Sequence, residues 1–263
     1  HAEDGALLVE RIADALHEPF AVGGVEVDVG ASIGVATHPE DGRTCEALLH
    51  AADQAMYAAK QQGRNCYYLF DSQQNSVQNQ RQEMIRQAAE SLRNGDFELY
   101  YQPKVNMKTG QVLGAEALLR WQHPERGLLS PSEFLPLLTG DPLMAELEEW
   151  VLRQGIQQLH EWHLHDLRLT LSINISGQFL QESGFVDKLS ALLALYPTLP
   201  ASALELEILE TTALENITRA SEIIRRCRSR GVGFALDDFG TGYSSLTHLK
   251  RLPADAIKID CSF

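Results

Sequence analysis

Six residues with side chains suited to divalent-cation chemistry are spread over the second half of the chain, each within or just after an apolar run. They are Glu116, Asn174, Glu207, Asp237, Asp238 and Lys258. Two carboxylates brought to ~4 Å repel each other by about 4 kcal/mol at an effective dielectric near ~20, so such a group must take up protons or bind cations. Oxygen ligands without Cys or His suit hard ions, which predicts Mg²⁺ or Mn²⁺. A carboxylate shared by two such ions would support two-metal phosphoester hydrolysis, with Lys258 adding positive charge beside the nucleophile or the phosphate.

The runs that carry these residues alternate between apolar and polar side chains. In 169–176 the odd positions are apolar and oppose Asn174, and in 204–209 the even positions are apolar and oppose Glu207. A period of two puts the two sets on opposite faces of a strand. A half-exposed antiparallel sheet with one wet face would explain this pattern. Helix-length segments between the runs favour a β/α barrel instead, in which polar residues near the carboxyl ends of the strands form the active site.

The second half of the chain reads as alternating strands and helices. The predicted strands are Phe97–Val105, Val112–Trp121, Arg168–Ser176, Ala203–Glu210, Val232–Asp237 and Ala256–Asp260. The predicted helices are at about Leu143–Trp162, Gly184–Ala194 and Thr218–Arg230. This alternation predicts an α/β fold, a TIM-like β/α barrel with about six of its eight strands present. The remaining two strands would follow Phe263.

The first part of the chain predicts a smaller α+β unit. Ala6–His17 has apolar residues at helical spacing, Val25–Val29 and Ala31–Ala36 read as strands, and Thr44 is a candidate N-cap of a further helix. The stretch Asp71–Gln82 is rich in Gln, Asn and Ser and predicts a linker that passes into a helix. We therefore expect a partial domain over 1–72, a linker and helix over 73–95, and a second domain over 96–263 that is truncated at its carboxyl end.

Composition narrows the class of protein. The net charge of −14 argues against a DNA-binding protein, which would need a basic stripe. The apolar runs are shorter than a membrane span, so we expect a cytoplasmic domain, in a parent that upstream sequence could tether to a membrane. The chain starts at His1 without Met and stops after a strand-like run. We expect it to be an internal fragment of a longer protein.

Five ordered motifs resemble the EAL family of cyclic-di-GMP phosphodiesterases. The run Glu116-Ala117-Leu118-Leu119-Arg120 matches the signature that names the family, after Tyr101-Gln102-Pro103 and before Trp121. The other four motifs are 172–176, 207–210, the run 237–246 that begins Asp-Asp-Phe-Gly-Thr-Gly, and 258–260. A lone EAL tripeptide would occur by chance, but five motifs in order over 97–263 are specific.

The resemblance implies a phosphodiesterase that hydrolyses cyclic-di-GMP to linear pGpG with two Mg²⁺ or Mn²⁺ ions. It implies that Glu116, Asn174, Glu207 and Asp237 are metal ligands and that Asp238 binds the second metal or its water. It further implies roles for Glu210 in steadying the loop after Asp238, for Lys258 near the catalytic water, and for Gln102 and Arg120 as substrate contacts. The family has a further glutamate and glutamine on its last two strands, so we expect the fragment alone to be inactive.

The first part of the chain resembles a second family. The runs 31–36 and 52–60, followed by Gly63-Arg64-Asn65, look like the closing half of a GGDEF cyclase domain. The expected partners are cyclic-di-GMP, a second copy bound through the EAL domain, and upstream sensory or GGDEF sequence. Two alternatives to hydrolysis stay open: a non-catalytic cyclic-di-GMP receptor and a dimerisation scaffold.

Overall fold

The computed structural model describes residues 8–9, 11–12, 15, 20–27, 29–61, 63–209, 216–239 and 252–259. The chain divides into two compact units, 1–83 and 84–263. No helix within the described residues combines the length and the apolar character that a membrane crossing requires.

The first unit contains a hairpin and a parallel strand pair. Strands β1 (Phe20–Val22) and β2 (Val25–Val27) are antiparallel. The two glycines between them, at positions 23 and 24, have φ angles of 61° and 85°, as a tight two-residue hairpin turn requires. Strand β3 (Ile33–Val35) is parallel to β4 (Tyr67–Leu69), and helix α1 (Cys45–Gln61) forms the crossover between them.

Helix α1 packs closely on β3. The hydroxyl of Thr44 accepts a hydrogen bond from the backbone N–H of Ala47 at 3.2 Å, which confirms the predicted N-cap. The side of α1 that is buried is made of small residues, with Ala55 and Ala59 fully buried. A Cβ at Gly34 on β3 would lie only 1.9 Å from the carbonyl oxygen of Ala52. Only glycine at position 34 therefore permits this approach of helix to strand.

The polar stretch predicted as a linker is helical from its start. Helix α2 runs without a break over Ser72–Asn94. In its second half Met84 and Ala88 are buried on one face, and this packing stabilises a helix that propensity alone would support weakly. The helix ends at Gly95, whose φ of 83° is the usual left-handed stop. The domain limits given above stay predictions.

The second unit is built on one sheet of seven strands. They are β5 (Phe97–Val105), β6 (Val112–His123), β7 (Gly127–Leu129), β8 (Thr170–Ile175), β9 (Leu204–Leu209), β10 (Gly233–Phe239) and β11 (Ala256–Ile259). The strand order is β11-β10-β9-β8-β6-β5, with β7 paired to β6. Strands β6, β8, β9, β10 and β11 are parallel, whereas β5 and β7 are antiparallel to β6. All six predicted strands are confirmed, and the short β7 is an addition.

Helices connect the parallel strands. They are α3 (Pro131–Leu138), α4 (Pro142–Leu164), α5 (Gly177–Leu180), α6 (Phe185–Ala194) and α7 (Ile217–Arg228), with a 3₁₀ turn at Ala201–Ala203. Helix α4 precedes β8, α6 precedes β9 and α7 precedes β10. A strand, a helix and a parallel strand form the repeating unit of a β/α barrel, so the predicted alternation is confirmed.

The predicted alternation of faces is also observed. The apolar residues of the parallel strands lie in the core of the unit, and those that are fully buried include Trp121, Leu171, Ile173, Leu204, Leu206, Phe234 and Leu236. Burying each such side chain contributes roughly 1.5–3 kcal/mol. The polar residues between them, such as Glu116 and Glu207, therefore share the opposite face of the sheet.

Candidate metal and phosphodiester site

Three carboxylates from separate parallel strands meet on the polar face. Glu116 of β6, Glu207 of β9 and Asp237 of β10 each place one oxygen within 4.8 Å of the others. We call these three residues the acidic cluster. The side chain of Glu207 is completely buried, and those of Glu116 and Asp237 are mostly buried. Three anions at such distances require cations or protons for their stability.

Strand stagger explains how these residues meet. Asn174 and Glu207 are register partners, whereas Glu116 pairs two residues before Asn174 and Asp237 pairs two residues after Glu207. In a barrel the tilt of the strands shifts the register from strand to strand in this manner, so side chains from different register positions reach one level. The side-chain amide of Asn174 donates a hydrogen bond to Oε1 of Glu116 at 2.8 Å, which joins it to the cluster.

Lys258 of β11 lies at the centre of the acidic cluster. Its ammonium donates to Oε2 of Glu116 at 3.0 Å, to Oε2 of Glu207 at 2.7 Å and to Oδ2 of Asp237 at 3.0 Å. Burial lowers the pKa of Lys258, but the three hydrogen bonds outweigh burial, so its pKa lies above the ordinary value. The lysine is therefore charged. Burial and the neighbouring Glu116 raise the pKa of Glu207 above its ordinary value, against the opposing effect of Lys258.

The donor set of the cluster fits a hard divalent cation. Three carboxylates converge on one point, and the amide nitrogen of Asn174 is bonded to one of them. Three negative charges around one ammonium leave two charges uncompensated. The acidic cluster can thus bind a metal ion.

A second lysine, Lys104 of β5, lies below the cluster and was missed by the sequence analysis. Its ammonium donates to Oε1 of Glu205 at 2.8 Å, to Oε1 of Glu207 at 3.1 Å and to the hydroxyl of Ser172. The Ser172 hydroxyl in turn donates to Oε1 of Glu205 at 2.6 Å. We call Lys104, Ser172 and Glu205 the deeper layer. The signal for it was the even spacing of Gln102 and Lys104, which puts both on one face of β5.

Strand β10 has a bulge at the two consecutive aspartates, Asp237 and Asp238. The register with β11 shifts between Leu236 and Phe239, and Asp238 has a φ of 53°. The backbone N–H of Asp238 donates to Oδ1 of Asp237 at 2.9 Å. In a regular strand the two carboxylates would point to opposite faces, but a bulge re-aims a side chain. Left-handed backbone at a non-glycine residue is a strain that is often found at functional sites.

The remaining predicted residues lie at the edges of the cluster or outside the described part of the chain. Gln102 is the direct register partner of Glu116, so the two share a face. The guanidinium of Arg120 lies 5.5 Å from the ring centre of Tyr100 and donates to the carbonyl of Leu119 at 2.8 Å. Glu210 lies outside the described residues, as does most of the motif that follows Asp238.

An apolar cleft of about 380 Å³ opens beside Asn174. It is lined by side chains of β6, β8, α3 and α4, among them Ala117, Leu118, Leu135, Met144, Leu147 and Val151. Glu148 is the acidic residue among the described residues that line it; it is only 7% exposed and accepts hydrogen bonds from the N–H of Ser176 at 2.5 Å and from its hydroxyl at 2.9 Å. Burial raises the pKa of Glu148 to about 7. The sequence does not reveal the role of Glu148, because the pattern of a helix does not distinguish a buried glutamate from a solvated one.

Comparison with domain families matches both parts of the chain. Residues 82–263 match the model of the EAL domain, and residues 1–66 match the model of the diguanylate cyclase GGDEF domain. The match to the EAL domain contains the acidic cluster, the deeper layer and the apolar cleft. Both resemblances stated from the motifs are therefore confirmed.

Two curated relatives from Pseudomonas aeruginosa align with nearly the whole chain. The bifunctional diguanylate cyclase/cyclic di-GMP phosphodiesterase MucR is 39% identical over 264 residues, which cover 99% of this chain and 38% of MucR. The cyclic di-GMP phosphodiesterase NbdA is 38% identical over 98% of this chain and 33% of NbdA. The chain thus spans about a third of the length of these relatives.

Solved EAL structures share the fold. The phosphodiesterase part of MucR in complex with c-di-GMP superimposes with a TM-score of 0.65 at 38% identity, over 68% of this chain and 72% of that one. The EAL enzyme Bd1971 in its cGMP-bound form has a TM-score of 0.66 at 32% identity, over 72% of this chain and 52% of that one. EAL domains are TIM-like β/α barrels, so the predicted fold class is confirmed. Residues 1–66 match the GGDEF domain model, and the chain belongs to the EAL domain family.

Proposed function

We propose that the full-length protein hydrolyses cyclic-di-GMP to linear pGpG with two Mg²⁺ or Mn²⁺ ions at the acidic cluster. The observation that carries the proposal is the convergence of Glu116, Glu207 and Asp237 within 4.8 Å around the ammonium of Lys258. MucR and NbdA, which are named as cyclic di-GMP phosphodiesterases, lend support. Bound divalent ions would supply an activated water and would neutralise charge on the attacked phosphate.

In this proposal each of the predicted site residues has its own role. Glu116, Asn174, Glu207 and Asp237 would hold the first ion. Asp238 would bind the second ion or its water, and Glu210 would steady the loop after Asp238. Lys258 orients the attacking water and offsets charge that develops on the phosphate. Gln102 and Arg120 hold the substrate, with the guanidinium of Arg120 directed to a phosphate oxygen.

The apolar cleft supports a dinucleotide as substrate. It lies beside Asn174, and it joins Leu118 to the apolar side chains of α3 and α4. A flat aromatic base requires an apolar slot of this kind with a few polar groups at its edge. We further propose that two copies associate through the EAL domain in the cytoplasm and that upstream sensory sequence controls the pair.

The test compares the full-length protein with two variants in cyclic-di-GMP and Mg²⁺. Glu116→Gln removes one negative oxygen of the cluster at equal size, and Glu161→Gln is the control because Glu161 is exposed on α4. We expect formation of linear pGpG by the parent and by the control, with its loss in Glu116→Gln. Equal turnover in all three proteins would contradict the proposal. Tight binding of the nucleotide without hydrolysis by the parent would instead identify a receptor.

A further inference from the structure

Lys104 occupies a position directly below the acidic cluster. On β5 it follows Gln102 by two residues, and Gln102 is paired with Glu116 of the cluster. Lys104 itself is paired with Gly114 of β6, so no side chain of β6 stands at that position between Lys104 and β8. The lysine thereby reaches across β6 to Ser172 on β8 and to Glu205 on β9.

The contacts of Lys104 form a complete network. An ammonium has three protons to donate, and Lys104 has three acceptors, in Ser172, Glu205 and Glu207. Burial lowers the pKa of Lys104, but the hydrogen bond to Glu205 and the charge of Glu207 outweigh it, so its pKa lies above the ordinary value. A fully bonded ammonium of this kind is a fixed part of the structure.

Glu207 is held from two sides by two different lysines. Its Oε1 accepts from Lys104 at 3.1 Å, and its Oε2 accepts from Lys258 at 2.7 Å. Oε2 is the oxygen that shares Lys258 with Glu116 and Asp237. The two oxygens of one buried carboxylate therefore have separate partners, one in the deeper layer and one in the cluster.

We propose that Lys104 is a positioning residue: it anchors Oε1 of Glu207 and thereby keeps Oε2 turned toward Glu116 and Asp237. This inference rests on the proposed function, in which Oε2 of Glu207 is a metal ligand. An anchored carboxylate loses no torsional freedom when it takes up an ion, whereas a free one does. Partners that fix a metal ligand from behind typically contribute about 10–100-fold to metal affinity.

The deeper layer offers a substitution that removes the anchor without changing the net charge. Lys104 and Glu205 carry opposite charges and are bonded at 2.8 Å. The double variant Lys104→Met/Glu205→Met deletes both charges, so the electrostatic field on a bound ion changes little. Replacing a buried ion pair by apolar residues of similar volume is often neutral for stability. The control is Lys188→Met/Glu149→Met, an exposed pair at 3.3 Å on the outer helices.

The experiment measures the dissociation constant for Mn²⁺ of the metal-free full-length protein by electron paramagnetic resonance titration, with circular dichroism as the check of folding. We expect a Kd about tenfold higher in the Lys104/Glu205 double variant. We expect a Kd within about twofold of the parent in the control pair. Lys104→Arg keeps the charge and the donors, so we expect its Kd to lie below that of the double variant and close to that of the parent.

Each other outcome has a distinct meaning. A double variant that folds and binds Mn²⁺ as tightly as the parent would overturn the positioning role while leaving the proposed function intact. A double variant that fails to fold would make Lys104 a structural residue and would also overturn it, as would an arginine variant that is weakened as much as the double variant. A parent that binds no Mn²⁺ would instead contradict the proposed function itself.

Discussion

The acidic cluster and the deeper layer lie next to each other on the same polar face, yet they differ in charge balance. In the cluster Glu116, Glu207 and Asp237 share one ammonium, that of Lys258. In the deeper layer Lys104 is matched by Glu205, with Glu207 as a carboxylate common to both. The cluster has an excess of negative charge, whereas the deeper layer is neutral within itself.

This difference in charge indicates where a cation should bind. Carboxylates alone do not define a metal site, because a carboxylate with its own lysine has little affinity for a further cation. Among the residues that the structure describes, only the cluster combines converging oxygens with uncompensated charge. The deeper layer would then act as support, since it fixes the back of Glu207 while the front of the same carboxylate remains available.

The largest expected effect is a difference in activity between substitutions in the acidic cluster and substitutions in the deeper layer. Asp237→Asn removes a charge from the cluster, and Glu205→Gln removes a charge from the deeper layer at equal size. We expect hydrolysis of cyclic-di-GMP to fall by about 10³-fold or more in Asp237→Asn, because a ligand to the ion is lost. We expect only about a tenfold decrease in Glu205→Gln. Initial rates at a Mg²⁺ concentration below the Kd of the parent measure both losses, and equal losses would contradict the distinction between the two regions.

A smaller effect concerns Lys258 as the internal cation of the cluster. In Lys258→Met the fully buried Glu207 loses the ammonium on its Oε2. We expect the free energy of unfolding in EDTA to fall by about 3 kcal/mol, a value reduced from that of a fully buried pair because Lys258 is partly exposed. Added Mn²⁺ should restore more stability in this variant than in the parent, because the ion replaces the missing charge.

Urea denaturation with and without Mn²⁺ measures this effect. The control is Lys188→Met, since within the described part of the chain Lys188 is paired with the partly exposed carboxylates Glu149 and Glu182. The control should change stability by less than about 1 kcal/mol. An unchanged midpoint for Lys258→Met in EDTA would show that the cluster does not depend on that ammonium.

The smallest effect concerns a buried carboxylate that has no described lysine bonded to it, and it appears in the pH dependence of the free energy of unfolding. Glu148 is buried, and among the described residues its hydrogen-bond partners are the neutral donors of Ser176. Its pKa is raised by burial from 4.5 to about 7, so between these pH values the folded protein holds a proton that the unfolded chain has released. The free energy of unfolding must then fall as the pH rises through this window.

Replacement of Glu148 by Gln removes that dependence. The amide mimics the protonated acid, so we expect Glu148→Gln to match the parent near about pH 5 and to exceed its stability by roughly 2 kcal/mol near about pH 8. Urea denaturation at the two pH values measures the difference, with Glu161→Gln as the control because Glu161 is exposed on α4. Parallel pH profiles for the parent and Glu148→Gln would contradict the assignment of a raised pKa.

Much of the acidic cluster could be predicted because it depends on local alternation. A period of two fixes the face on which Asn174, Glu207 and Lys258 lie, and parallel pairing then brings their strands side by side. Glu116 and Asp237 follow the same rule. Six strands and the helices α4, α6 and α7 of the second unit were predicted for the same reason, since each is a segment with its own periodicity, whereas the short β7, α3 and α5 were not predicted.

The rest of the site depends on information that a local pattern does not hold. Lys104 reaches Glu205 across 101 residues of sequence, and the contact requires the register of the β5–β6 hairpin to be known. Glu148 contacts Ser176 through the packing of α4 on β8. The bulge at Asp238 follows from a register shift between two strands, and the helix over the polar stretch after Ser72 depends on buried contacts further along it.

The most direct test of the account is the position of Mn²⁺ in crystals of the full-length protein, determined by anomalous scattering. We expect the anomalous peak to lie within bonding distance of Glu116, Glu207 and Asp237, with the ammonium of Lys258 moved away from their centre and Lys104 still bonded to Oε1 of Glu207. A peak at Glu205 in the deeper layer, or a cluster that keeps Lys258 at its centre in saturating Mn²⁺, would contradict it.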